Sequence, residues 1–265
     1  MKKSYRTLLV VGISALLAAT ASASTVYSTG FEDPPFVPGS IIGQDGWLAG
    51  SSSGNSQSIV NTFAYAGTQS LFWDNSSTFN SFYSVRRAFD GQNGAITAAT
   101  PLEISVWLYV APSTGADRLY GTYATNSGTG TLGSTALGLT ISGTGDLRAG
   151  TSWSATYSAS PLYTNTALVG NWVKVLLSYD GVGGGVAVYD AGLNTLFSTT
   201  FATVNLANAN GAGVGSWNIN LGADYNTTTA RLGMGYHDNL DVSVVPEPAS
   251  LLALGGLALL ALRRR

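Results

Sequence analysis

Hydrophobic and polar positions alternate with period two through much of the chain. In LEISVWLYV, residues 102–110, the side chains of Leu102, Ile104, Val106, Leu108 and Val110 fall on one face. Glu103, Ser105, Trp107 and Tyr109 fall on the other, and this alternation predicts a strand buried on one side. Similar runs occur at SFYSVRRAF, DRLYGTYA, ALGLTIS, WVKVLLSYD, GVAVYD, TLFSTTF, WNINLGA and HDNLDVSV, separated by clusters of Gly, Asn and Asp that read as turns. No amphipathic helix of useful length interrupts them. Many strands without intervening helices predict an all-β, antiparallel β-sandwich of jelly-roll type.

The two ends break the pattern. Residues 1–23 begin with Lys2, Lys3 and Arg6, continue through a mostly apolar run from Leu8 to Ala19, and end in Ala21-Ser22-Ala23, the layout of a signal peptide cleaved after Ala23. Residues 245–265 contain Pro246-Glu247-Pro248, an uncharged stretch from Ala249 to Leu262, and Arg263, Arg264 and Arg265. As a helix that stretch spans about 21 Å, short for a hydrocarbon core of about 30 Å. Its arginines would stay cytoplasmic, as would the N-terminal cations, so residues 24–244 are expected outside.

This C-terminal segment resembles the PEP-CTERM sorting signal of Gram-negative bacteria. The resemblance implies transient insertion of the C-terminal transmembrane helix in the inner membrane, processing by signal peptidase and an exosortase, and removal of the tail. Delivery to the outer cell surface or the biofilm matrix follows. The mature part, with TGFEDPPF, GSIIGQDGW, AGTQSLFW, NWVKVLLSYD and YHDNLDVSV in that order, resembles a concanavalin-type, laminin-G-like jelly roll. In such folds the first and last strands are neighbours and a carboxylate from each commonly holds a structural calcium. The resemblance therefore implies calcium at Glu32, Asp238 and Asp241, with Asn239, Asp33 and Asp45 near in sequence.

Charge narrows the partners. Without its end segments the chain keeps six Lys or Arg against thirteen Asp or Glu, a net charge of −7. It has no basic stripe for a phosphate backbone, so nucleic acid is not an expected partner. The absence of cysteine rules out disulfides and thiolate zinc sites.

Aromatic faces suit the apolar face of a sugar ring. Trp107 and Tyr109 lie opposite the aliphatic row of their strand, and Trp73 and Trp153 sit among polar neighbours, so these four are the candidate carbohydrate-binding residues. Trp47 and Trp172 read as core. Catalysis finds little support, and no catalytic residue is expected. His237 is the one histidine, the string Gly50-Ser51-Ser52-Ser53-Gly54 has the letters of Gly-x-Ser-x-Gly but no helical pattern follows it to form a nucleophile elbow, and a spacing of three places Asp238 and Asp241 on opposite faces of a regular strand. The Gly-rich strings at 128–133 and 181–186 precede no helix and read as loops. These features together predict a surface or matrix protein that binds or organises exopolysaccharide. The competing readings are a polysaccharide lyase or glycoside hydrolase on the same fold, which needs paired acids on one face, and a structural or ice-contacting protein, which needs regular Thr ladders that only Thr129 and Thr131 suggest.

Overall fold

The computed structural model describes residues 23–50, 57–73, 83–89, 100–113, 119–126, 132, 135–204, 217–223 and 234–245. The signal peptide apart from Ala23, and Pro246, Glu247, Pro248 and Arg263 to Arg265 of the sorting segment, lie outside them. No helix among the described residues is long and apolar enough to cross a membrane.

The strands are β1 (Ser24–Thr29), β2 (Gly39–Ser40), β3 (Leu48–Ala49), β4 (Gln57–Val60), β5 (Ser70–Trp73), β6 (Tyr83–Ala88), β7 (Leu102–Val110) and β8 (Leu119–Asn126). They continue with β9 (Thr135–Ser142), β10 (Asp146–Gly150), β11 (Tyr163–Thr164), β12 (Trp172–Tyr179), β13 (Gly184–Tyr189), β14 (Thr195–Phe201), β15 (Trp217–Ala223) and β16 (Gly235–Val244). One short helix, α1 (Trp153–Tyr157), lies between β10 and β11. All the strand pairings are antiparallel. They form two sheets. The larger has nine strands in the order β14-β13-β12-β7-β16-β5-β4-β2, with β1 also on β16, and the smaller has seven in the order β11-β10-β9-β8-β15-β6-β3. The chain is therefore an antiparallel two-sheet sandwich, and every period-two run of the sequence is a strand in it.

The alternation in β7 does what the sequence predicts. Leu102, Ile104, Val106, Leu108 and Val110 are all buried, facing a core shared with Val173, Val175 and Leu177 of β12 and Ile219 and Leu221 of β15. The first and last strands are neighbours, running from Ser24 opposite Val244 to Thr29 opposite Leu240. The long strand β16 is thus shared on one side, with β5 along residues 235–237 and β1 along residues 240–244.

One irregularity in β16 corrects the sequence reading. Against β7 the pairing steps from Asp238 opposite Trp107 to Asp241 opposite Ser105, so three steps on one strand match two on the other. Asn239 is the extra residue and has φ +44°. A bulge of this kind restores the alternation one residue late. Asp238 and Asp241 consequently share the outer face instead of pointing to opposite sides.

Asp45 is engaged with Tyr27 and Arg87, apart from Glu32 and Asp238. It accepts a hydrogen bond from Tyr27 Oη at 2.7 Å and pairs with Arg87 Nη1 at 3.4 Å, while the Arg87 guanidinium lies 4.0 Å from the Tyr27 ring centroid. Trp47, fully buried as its sequence context suggested, donates to Tyr27 Oη at 3.2 Å.

Candidate functional site

The outer face of the nine-stranded sheet carries a row of aromatic rings. Trp172 of β12 lies opposite Tyr109 of β7, Tyr109 opposite Tyr236 of β16, and Tyr236 opposite Phe72 of β5. Residues in register share a face, so four adjacent strands place one ring each side by side. Neighbouring centroids are 5.7 Å (Trp172 to Tyr109), 6.0 Å (Tyr109 to Tyr236) and 4.9 Å (Tyr236 to Phe72) apart. All four are half-buried. The loop at 61–69 folds back over them. Phe63 stacks on Trp172 at 5.4 Å and 12°, meets Tyr109 at 4.8 Å and Tyr236 at 4.9 Å, and remains 37% exposed. One step along the strands Tyr65 stacks on Trp107 at 3.8 Å and 14°, which buries Trp107.

Two carboxylates hold this loop down. Asp238, fully buried, accepts from the backbone N–H groups of Tyr65 at 2.8 Å and Ala66 at 3.1 Å on one oxygen, and from Asn239 N–H at 2.7 Å on the other. Glu32 accepts from Thr68 N–H at 2.8 Å and Gln69 N–H at 2.9 Å on Oε1, and from the Thr68 hydroxyl at 2.7 Å on Oε2. Gly67, at φ +70°, passes so close to the Glu32 carboxylate that a Cβ there would collide with Oε1. Burial pushes Asp238 up to about 6 against the pull of its N–H donors, with the nearby Glu32 charge adding to the rise. Burial also opposes the Glu32 charge, but the donors from Gln69 and Thr68 outweigh it and hold its pKa below the ordinary carboxylate value.

Glu32 and Asp238 therefore meet, as the resemblance implied, whereas Asp241 turns to the Ser243 hydroxyl at 3.1 Å. Among the described residues no three His, Cys, Asp or Glu side chains gather in one place. The side chains that do converge here are oxygen donors, the ligand type calcium takes. Around Gly30, a Cβ would lie 2.9 Å from Asn239 Oδ1, 3.6 Å from Glu32 Cγ and 3.9 Å from Asp238 Oδ1, an oxygen-rich cradle. Among the described residues the one ion pair is Arg87 with Asp45, so no cationic side chain balances Glu32 and Asp238. The residues that fit an oxygen-ligated cation are Glu32, Asp238 and Asn239.

Trp73 lies in the interior. It is 1% exposed and its indole N–H donates to His237 Nδ1 at 2.8 Å. In β5 the alternation turns Leu71 and Trp73 inward and Phe72 outward, so the polar neighbours of Trp73 misdirect the sequence reading. Trp172 departs from expectation in the other direction, standing on the outer face instead of in the core. Trp153 is half-buried on α1, against the other sheet and apart from this row. Phe63, Tyr65, Phe72 and Tyr236 were not singled out by sequence. Phe72 and Tyr236 follow from alternation once their strands are placed in register, while Phe63 and Tyr65 lie in a loop and carry no such signal.

His237 sits inside the sandwich, fully buried, with Nε2 3.5 Å from the Thr122 hydroxyl. Burial drives its pKa down from 6.5 to about 3, against a small opposing effect of the Gly121 backbone. The unfolded chain takes a proton below pH 6.5 that the folded chain refuses until about pH 3, so this group costs stability as pH falls through that window. The stability advantage of wild type over His237→Phe should shrink by about 1.4 kcal/mol per pH unit below pH 6.5. Urea unfolding of both proteins from pH 7 to pH 4 measures it. A difference that does not vary with pH would show an imidazole open to solvent.

The fold has counterparts among solved structures. The carbohydrate esterase of the Shiga toxin-encoding bacteriophage phi24B is 15% identical with a TM-score of 0.53, over 85% of this chain and 100% of that chain. The CBM2 module of the evolved Dit protein of Lactobacillus casei BL23 phage J-1 is 10% identical with a TM-score of 0.50, over 85% of this chain and 97% of that one. The lectin UEA-II complexed with galactose is 11% identical with a TM-score of 0.49, over 83% and 98%. These likenesses concern the fold alone. No family model and no curated protein matches the chain.

Proposed function

We propose that the protein is an exported component of the cell surface or extracellular matrix that binds polysaccharide through the aromatic face of its larger sheet. The observation that carries this reading is the row Trp172, Tyr109, Tyr236 and Phe72 with Phe63 laid over it. Half-exposed rings held at fixed spacing offer the apolar faces of sugar rings a stacking surface at little further cost in side-chain entropy. The flanking Lys174 and Ser105 sit on the same face and can hydrogen-bond hydroxyl groups. The bacteriophage phi24B counterpart of this fold is a carbohydrate esterase, so a carbohydrate ligand agrees with this reading. Export by the signal peptide, and sorting by an exosortase acting on the Pro-Glu-Pro segment, belong to the same proposal.

Calcium enters at Glu32, Asp238 and Asn239, where it would neutralise the paired carboxylates. Those residues then clamp the 61–69 loop, and through it Phe63 and Tyr65, onto the sheet.

The test uses protein recovered from expressing cells and polysaccharide purified from the producing organism's matrix. Phe63→Ala and Trp172→Ala should each weaken retention about tenfold, the equivalent of 1.4 kcal/mol, with unchanged melting temperatures. Chelation should lower both the melting temperature and retention, and a protein indifferent to chelator would have no calcium at this position. Release of new reducing or unsaturated ends would overturn the binding reading in favour of a hydrolase or lyase. The enclosed His237 and the engaged Asp238 favour the binding reading over that alternative.

A further inference from the structure

A second aromatic pair lies on the opposite outer face, above the seven-stranded sheet. Trp153 and Tyr157 are four residues apart on α1 and so share a side of the helix. Their rings stack at 4.9 Å and 16°, and both are half-buried. Beneath them Tyr123 of β8 comes within 5.5 Å of Trp153. Tyr123 points away from the shared core, because its neighbours Thr122 and Ala124 face inward and it packs instead with Leu132 and Trp153. Its ring lies flat over Gly138, where a Cβ would come within 2.7 Å of it.

The helix is fixed to this face. The Thr140 hydroxyl donates to the Thr156 carbonyl at 2.6 Å, the Ser152 hydroxyl caps Ala155 N–H at 3.3 Å, and Arg148 Nε donates to the Ala159 carbonyl at 2.8 Å. Buried polar atoms without partners lie in the strands of this sheet. Asn220, opposite Tyr123 in register and fully buried, donates through Nδ2 to the Thr125 hydroxyl at 3.0 Å, but its Oδ1 has no hydrogen-bond partner among the described residues. Arg148 Nη1 is likewise without one. Buried polar atoms without partners are uncommon, and an unpaired acceptor and an unpaired donor in the sheet that carries a stacked aromatic pair are groups that sugar hydroxyls satisfy.

We propose that this is a second carbohydrate-binding face, and that the protein bridges two polysaccharide strands, one on each side of the sandwich. The inference rests on the glycan-binding reading of the first face. The two faces are back to back across sheets packed about 10 Å apart, so one strand lying along either face cannot reach the other, and occupancy of both joins separate strands. Bridging gives a single chain the capacity to cross-link a matrix through avidity.

The test compares wild type, Trp153→Ala, Trp172→Ala and the double variant in two assays with the purified matrix polysaccharide. One is depletion of soluble polysaccharide onto immobilised protein. The other is clustering of beads coated with the same polysaccharide. Trp153→Ala should keep depletion to within about twofold and Trp172→Ala should deplete about tenfold less, bead clustering by either should fall at least tenfold, and the double variant should lose both. Melting temperatures within a degree or two of wild type show that each variant is folded. Clustering by Trp153→Ala at the wild-type level would overturn the second face, and would point to self-association as the source of valency. A wild-type protein that depletes nothing and clusters nothing would overturn the glycan-binding reading and the bridging with it. Depletion without clustering by wild type would overturn bridging alone.

Discussion

Trp73→Ala should lower the stability of the folded chain by about 4 kcal/mol while leaving the glycan affinity of the molecules that remain folded unchanged. Removing a fully buried indole forfeits its transfer free energy and leaves a cavity, for which about 3–5 kcal/mol is typical. It also removes the donor to His237 Nδ1, leaving an acceptor enclosed without a partner. In a domain of this length each kcal/mol moves the melting temperature by about 2–4 °C, so the midpoint should fall by about 10 °C. Trp73→Phe separates the two contributions. It keeps most of the volume and loses the N–H, and should cost about 1–3 kcal/mol. Thermal unfolding beside retention at a temperature where each variant is folded makes the comparison. A Trp73→Ala protein with wild-type stability and lost retention would return Trp73 to the binding surface and contradict its enclosure.

Asp238→Ala acts on the site through the backbone. Three N–H groups, those of Tyr65, Ala66 and Asn239, lose their shared acceptor at once. Hydrogen bonds to a charged acceptor contribute about 1.5–3 kcal/mol each and are not additive within one cluster, so a loss of about 3 kcal/mol is expected. The larger consequence is local. The 61–69 loop keeps only its Glu32 end, Phe63 and Tyr65 are no longer held against Trp172 and Trp107, and retention of polysaccharide should fall more than tenfold. Hydrogen exchange should report this loss of order as faster exchange at Tyr65 and Ala66, with the β7 and β12 amides still protected. Asp241→Ala is the control. Its carboxylate meets only Ser243 among the described residues, and both stability and retention should stay near wild type. Equal effects of the two substitutions would mean that charge on this face matters and the clamp does not.

The sequence determined the class of fold because alternation is local. A strand needs only its own residues to show that one face is apolar, and β7 did so over nine positions. The outward placement of Trp107 and Tyr109 was also legible in that alternation, whereas the neighbourhood of the first and last strands and the meeting of Glu32 with Asp238 were implied by the resemblance to a jelly roll. Strand partners and faces were not legible. Period two says that Leu71 and Trp73 lie on the opposite side from Phe72, but which side is inside depends on what β16 and β4 present, and that is settled only by pairing in three dimensions. The bulge at Asn239 shows the same limit in a single residue. One left-handed backbone conformation shifts the alternation and moves Asp241 to the face of Asp238, a change no residue count detects. Phe63 and Tyr65 become site residues through hydrogen bonds to carboxylates more than a hundred and seventy positions away for Asp238 and more than thirty for Glu32. Tertiary structure alone decided the composition of the aromatic face, because a surface assembled from four strands and a loop is a property of their register, and register is fixed by long-range burial and bonding that no local stretch of residues contains.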